Sequence, residues 1–301
     1  MTIPVHIVSG FLGSGKTTLM NHILNAGLRN LKPAILVNDF GKIALDGDLI
    51  HRPGYAMKEL ASGCVCCSLK GPMTEALAGF ARNESPDVIL METTGVAIPA
   101  EIGGVFRMAD LRTLVHLGNV ICVVDASSFL KYETHFSIMS KQVQQANTIV
   151  LNKMDLVQTE ARHATRRRID FLSQPDCLTS ETDHCKLDPE IIFEKRPVYF
   201  PTFFTLGHDN LHDDMQSLFF ESDAVLSLAK LHLFLKGLPP HVIRAKGIVN
   251  TEDGPKLIQL TLSGYEVTHW EEAIDRSRLI FIGKNICPED TEMDELTLCN
   301  M

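Results

Sequence analysis

Val5-His6-Ile7-Val8-Ser9-Gly10-Phe11-Leu12-Gly13-Ser14-Gly15-Lys16-Thr17-Thr18 holds a complete G-x-x-x-x-G-K-[ST] phosphate loop, entered directly from an apolar run. A loop that leaves a buried strand and opens a helix aims successive backbone N–H groups at one polyphosphate, so the stretch predicts nucleoside triphosphate binding. Gly10 and Gly15 allow backbone angles and close approaches that a Cβ would block, Lys16 can reach the β- and γ-phosphates, and Thr17 can offer a hydroxyl to Mg²⁺. Gly13, Ser14 and Thr18 complete the loop's nucleotide-binding candidates. Leu19, Ile23 and Ala26 then recur at helical spacing, with Gly27 as a helix stop.

Outward from this loop, apolar runs recur at Ala34–Val37, Val88–Met91, Val120–Val124 and Thr148–Leu151. Fully apolar rather than alternating runs, with spacers long enough for crossover helices, predict a doubly wound, mostly parallel α/β sheet of the P-loop NTPase kind. Ligands of such sheets bind beyond the carboxyl ends of the strands. Those positions hold Asn38-Asp39-Phe40-Gly41, Glu92-Thr93-Thr94-Gly95, Asp125 and Asn152-Lys153-Met154-Asp155. The polar stretch from Gln174 to Pro189 reads as a loop or insertion, and Val198-Tyr199-Phe200 as the last strand of the first domain. Beyond it, Ala224 to Leu235 predicts a helix, although Leu231, Leu233 and Leu235 also alternate. Ile243–Asn250, Lys256–Leu262 and Leu279–Ile282 read as strands, with Asp253-Gly254 as a hairpin turn. The expected organisation is a nucleotide-binding domain over 1–210 and a smaller α+β domain over 220–290.

A net charge of −9 argues against a nucleic-acid binder working through a broad basic face. The four arginines between Arg162 and Arg168 lie at helical spacing and read as a solvated helix face. Without a signal-like start or an apolar run of about 18 residues, the expectation is a cytoplasmic protein with no membrane partner. Eight cysteines scattered through a chain of this length point to metal or thiol chemistry rather than a disulfide framework.

Asn152-Lys153-Met154-Asp155, placed after a strand, has the N-K-x-D form of a guanine reader. A carboxylate in the ring plane accepts from both N1–H and the exocyclic amine of guanine, whereas adenine offers no such pair, which favours GTP over ATP. In this reading Asn152 bridges base and loop, and the Lys153 stem packs on the base. Glu92 can orient the Mg²⁺ shell, Gly95 can sense the γ-phosphate, and Asp125 either reaches the same region or caps Ser127-Ser128. Gly63-Cys64-Val65-Cys66-Cys67 crowds three soft ligands into four positions. Cys122, Cys177, Cys185, Cys287 and Cys299 offer no second such pair, so a metal site there is open or completed by other groups; a redox disulfide or plain burial is the competing reading.

Taken with the C-terminal Arg244-Ala245-Lys246-Gly247 and Phe281-Ile282-Gly283, these motifs resemble the CobW-type metallochaperone GTPases nearly end to end. The resemblance implies Mg²⁺-dependent hydrolysis of GTP to GDP and phosphate, with Lys16, Glu92 and Asp39 as catalytic candidates and Thr17 and Glu92 on Mg²⁺. It also implies a transition metal at Cys64, Cys66 and Cys67, zinc first and Co²⁺ or Fe²⁺ as alternatives, for insertion into a client protein. A homodimer is compatible with this reading. A non-hydrolysing metal buffer and a small-molecule kinase are the rival classes, the latter disfavoured by the guanine reader. Where family members carry an E-N-E-F-G-E pattern, this chain has Val37-Asn38-Asp39-Phe40-Gly41-Lys42, which leans the site towards thiolates. His208 and His212, with Asp209, Asp213 and Asp214, form a small His/Asp cluster that reads first as a solvated loop and second as a metal-loading substitute.

Overall fold

A computed structural model describes residues 2–26, 28, 31–40, 55–62, 70–200, 215–291 and 293. The chain divides into two compact units, residues 1–211 and 212–301.

In the first unit, β1 (Ile3–Ser9), β2 (Pro33–Phe40), β3 (Ala56–Ser62), β4 (Val88–Glu92), β5 (Val115–Asp125), β6 (Thr148–Asn152) and β7 (Leu178–Glu181) form a seven-stranded sheet in the order β3-β2-β4-β1-β5-β6-β7. Every pairing in it is parallel. The inner strands β4 and β6 are buried at every position, which is why they read as unbroken apolar runs. Helix α1 (Lys16–Ala26) packs Leu19, Met20, Ile23 and Leu24 into the core with Val8, Ile35, Leu90 and Val123. Ala26, expected on the inner stripe, is exposed in the last turn, and Leu24 takes that place; Gly27 lies outside the described residues. Further helices are α2 (Lys70–Gly79), α3 (Ser137–Gln144) and α4 (Thr159–Leu172).

The last strand of this sheet is β7, inside the stretch expected to be a loop, while Val198–Phe200 forms no strand. The reason is position: β7 is an edge strand, half-buried along Leu178–Ser180, so polar Thr179 and Ser180 suit it and no apolar run is needed. Tyr199 satisfies its backbone on a side chain instead, donating to Gln174 Oε1 at 3.1 Å and accepting from Gln174 Nε2 at 2.7 Å. The arginine-rich run lies on α4 as expected, mostly solvated, although Arg168 is anchored to the buried Glu133 at 2.6 Å.

In the second unit, β8 (Met215–Ser222), β9 (Val242–Thr251), β10 (Gly254–Thr261), β11 (Gly264–His269) and β12 (Ser277–Lys284) form an antiparallel sheet ordered β11-β10-β9-β12-β8. Its edges β8 and β11 carry no continuous apolar signal, as edge strands exposed on one side need none. Helix α5 (Leu228–Gly237) starts four residues later than Ala224, because Leu226 is engaged in a β-bridge to Thr251. Leu231 and Leu235 are buried while Leu233 is 70% exposed, so the helical period wins over the alternation. Gly247 sits where β9 and β12 are closest: a Cβ there would lie 2.0 Å from the Arg278 carbonyl oxygen.

One titratable group is built into the first unit's core. His6 on β1 is 5% exposed, accepts from Asn119 N at Nδ1 (3.1 Å) and meets Phe193 edge-on at 5.3 Å. Burial, with His116 nearby, depresses its pKa to about 4. A histidine depressed in the fold leaves the unfolded chain binding more protons between pH 6.5 and 4, so stability is whole above pH 6.5 and falls as pH drops towards 4. The loss expected from this residue is about 3 kcal/mol, measurable by urea titration across that range, and the His6→Gln variant should lack that part of the slope.

Candidate functional site

β1, β4, β5 and β6 run in parallel and end on the same side of the sheet, which collects the residues that follow them. After β1, Gly10, Gly13 and Gly15 take φ of 138°, 76° and 110°, values that side-chain-bearing residues avoid. Ser14 and Lys16 are buried in the loop, and Thr18 is exposed. The Lys16 ammonium lies back over the loop, donating to the carbonyls of Gly10 (3.0 Å) and Phe11 (3.2 Å). α1 opens at Lys16, so the first-turn N–H groups have no intrahelical acceptor and face the loop with the positive end of the helix dipole.

Thr17 donates its hydroxyl to Glu92 Oε1 at 2.8 Å, which joins the loop to the end of β4. Glu92 is 3% exposed. Gly95, three residues on, presses against the loop: a Cβ there would stand 2.7 Å from Leu12 N. Asp39 is placed by its backbone near the end of β2, two residues past Val37, which pairs with Glu92. Lys42, Cys64, Cys66, Cys67, His208 and His212 lie outside the described residues. Among the described residues no group of three or more His, Cys, Asp or Glu is arranged to hold a metal ion, and no helix is long and apolar enough to cross a membrane.

The end of β6 closes the other side. Asn152 is 2% exposed; its Nδ2 donates to the Ser14 carbonyl at 2.9 Å and its Oδ1 accepts from Cys185 N at 2.9 Å. Lys153 adopts the left-handed conformation (φ 61°) and pairs with Asp125 at 2.7 Å. The other Asp125 oxygen accepts from Ser127 N (2.9 Å) and Ser127 Oγ (2.6 Å), so Asp125 closes the turn at Ser127 and also restrains Lys153, while Ser128, at the start of the helix that follows, receives no side-chain cap. Asp155 is exposed, its N–H held by Asp183 Oδ1 at 2.8 Å.

The turn Thr182–Lys186 belongs to this site although its sequence gave only a polar-loop signal. Thr182 N donates to Leu151 O at 2.9 Å, and Met154 N to Thr182 O at 3.3 Å, which fixes the turn beside Asn152 and Asp155. His184 and Cys185 both take positive φ there, the one local sign of a constrained loop. Burial pushes the Cys185 thiol up to about 12 and the Cys122 thiol likewise, so both pack as neutral groups. Replacing Asn152 with Ala leaves a buried carbonyl and a buried N–H unpaired, an expected loss of about 2–4 kcal/mol in urea unfolding.

The CobW/HypB/UreG nucleotide-binding domain model matches residues 4–175, and the cobalamin synthesis protein cobW C-terminal domain model matches residues 215–295. A zinc-regulated GTPase metalloprotein activator 1 of Dictyostelium discoideum is 31% identical over 52% of this chain and 41% of its own length. The zinc chaperone YeiR of Escherichia coli K12 is 34% identical over 54% of this chain and 50% of its own. Against these two relatives the chain spans about half of their length or less. The zinc chaperone YjiA of the same bacterium is 26% identical over 96% of both chains. With a glycine loop, a Thr17–Glu92 contact and an Asn152 bridge set at one end of a parallel sheet, this chain belongs to the CobW/HypB/UreG nucleotide-binding family and carries the CobW C-terminal domain after it in sequence.

Proposed function

We propose that this protein is a GTP-hydrolysing metallochaperone: it binds zinc at Cys64, Cys66 and Cys67 and hands it to a client protein under the control of GTP turnover. The observation that carries the nucleotide part is the Asn152 carboxamide, which ties the phosphate loop at Ser14 to the turn at Cys185 and leaves the nearby Asp155 open to solvent. A base-reading residue must stand at a fixed distance from the phosphates, and this double hydrogen bond supplies that distance. Among the described residues no protein group pairs with the Asp155 carboxylate, which suits it to the N1–H and amino group of guanine. In this assignment residues 1–210 form the GTPase domain and 220–290 the CobW-like α+β domain.

The chain's own groups fit GTP and Mg²⁺. The Ser14 hydroxyl is buried with no partner among the described residues, the glycines keep Cβ atoms off the loop, and Lys16 holds its charge over it. Thr17 and Glu92 present two hard oxygen donors 2.8 Å apart, the chemistry Mg²⁺ prefers, and would hold that ion. Bound there, Mg²⁺ would offset charge on the β- and γ-phosphates, while Lys16 and the first-turn N–H groups of α1 bind the same oxygens and Gly95 meets the γ-phosphate. Asp39 is assigned to the same end of the sheet as a further carboxylate for the reacting water or for the transferred metal.

Support for zinc comes from relatives named zinc chaperones and from the donor set: three thiolates suit a borderline-soft ion better than Mg²⁺. β2 and β3 are parallel and end side by side at Phe40 and Ser62, at the nucleotide end of the sheet; the cysteines follow Ser62 in sequence and lie outside the described residues. A metal at that end can respond to the γ-phosphate, which is the coupling a delivery cycle requires.

Two outcomes test this. Lys16→Ala should abolish GTP turnover in a protein that still folds, and Asp155→Asn should reduce the GTP-over-ATP preference at least about tenfold in a competition assay. Normal turnover in the first, or an unchanged preference in the second, would place the chemistry or the base elsewhere. For the metal, a chelating-dye titration should show zinc bound more tightly with a non-hydrolysable GTP analogue than with GDP, and lost when all three cysteines become serine. Equal zinc affinity in both nucleotide states would leave a GTPase without a gated metal site.

A further inference from the structure

Past Thr93, whose N–H still reaches Val8 O at 3.0 Å, the segment after Glu92 leaves the sheet and is held by side chains from another element. Gln142 on α3 is 1% exposed, and its Nε2 donates to two carbonyls of that segment, Gly95 O at 3.1 Å and Ala97 O at 3.0 Å. A second glutamine from the same end of α3, Gln145, accepts from Ala100 N at 2.8 Å. Within the segment, the Ala97 N–H reaches Thr94 O at 3.1 Å. α3 is itself seated on the phosphate loop, since Phe136 at its start stacks on Phe11 with ring centroids 5.3 Å apart.

These contacts make a closed path from the loop, through α3, back to Gly95, which abuts Leu12 of the same loop. A carboxamide is the group suited to this place, because its one nitrogen offers two N–H donors to two carbonyls that lie two residues apart. Without it, the buried Gly95 carbonyl has to find another donor, and the segment has to move to reach one.

We infer that Gln142 is a positioning residue for the nucleotide switch: it holds Gly95 against the phosphate loop and so sets how strongly GTP is preferred over GDP. This rests on the GTPase reading above, in which Gly95 meets the γ-phosphate. GDP lacks that phosphate and makes no use of the position of Gly95, so loss of the latch weakens GTP alone. A side chain that only filled space in the core would, on removal, weaken both nucleotides or neither.

Gln142→Met keeps the length and burial of the side chain and removes both donors. Calorimetric titration should show affinity for a non-hydrolysable GTP analogue falling about tenfold, with GDP affinity changed by less than about twofold. Gln142→Glu, which points acceptors at two carbonyls, should lose more of the analogue affinity and again spare GDP. If the methionine variant does not fold, Gln142→Asn, shorter by one methylene, should show the same selective loss. In a folded variant, equal loss of both nucleotides, or no change in either, overturns the role of Gln142 while leaving the GTPase reading intact. A wild-type protein that binds neither guanine nucleotide overturns that reading instead.

Discussion

The site depends on one buried carboxamide. Asn152 uses both ends of its amide, donating to Ser14 O and accepting from Cys185 N, and thereby locks three loops that are far apart in sequence. Buried amides cost free energy unless both ends are paired, so the arrangement is close to all-or-none. The close fit is visible from the other side as well: a Cβ on Gly15 would come within 2.5 Å of Asn152 Nδ2, so the loop's glycine and the asparagine require one another.

The sheet makes this contact available. β5 and β6 pair in parallel up to Asp125 beside Asn152, and the Ala126 N–H still reaches the Asn152 carbonyl at 2.9 Å past the last strand residue. Two polar ends are thus brought level, and Asp125 can meet Lys153 while closing the turn at Ser127. The pair is only partly shielded, with Lys153 22% exposed, so its main effect is to orient the lysine stem rather than to add stability. On the other side of β1, Glu92 meets Thr17 by the same logic. β4 runs apolar through Met91 and β6 through Leu151, and each turns polar at the shared end with Glu92 and Asn152.

Gln142 and Asn152 solve a common problem differently. Segments without secondary structure carry backbone groups that must be satisfied on burial, and here side-chain amides do it: Asn152 for Ser14 and Cys185, Gln142 for Gly95 and Ala97, Gln174 for Tyr199. Such side-chain clamps hold a loop without tying it into a sheet.

The phosphate loop, the four apolar runs, the N-K-x-D tetrapeptide and the Glu92-Thr93-Thr94-Gly95 motif were legible in the sequence because each is local: a strand buried on both faces needs an unbroken apolar run, and a loop around phosphate needs glycines at fixed spacing. What sequence could not show is whatever depends on an edge or on a distant partner. β7, β8 and β11 are edge strands with mixed polarity, so no period marked them, and Val198–Phe200 looked like a strand while its backbone was destined for Gln174. Asp125 bonds locally to Ser127, and Lys153 at 2.7 Å is the partner that only the tertiary fold supplies. The turn at Asp183 and Cys185 and the latch at Gln142 carry no motif at all, because their roles are set by which carbonyls and amides the tertiary fold leaves unpaired beside them.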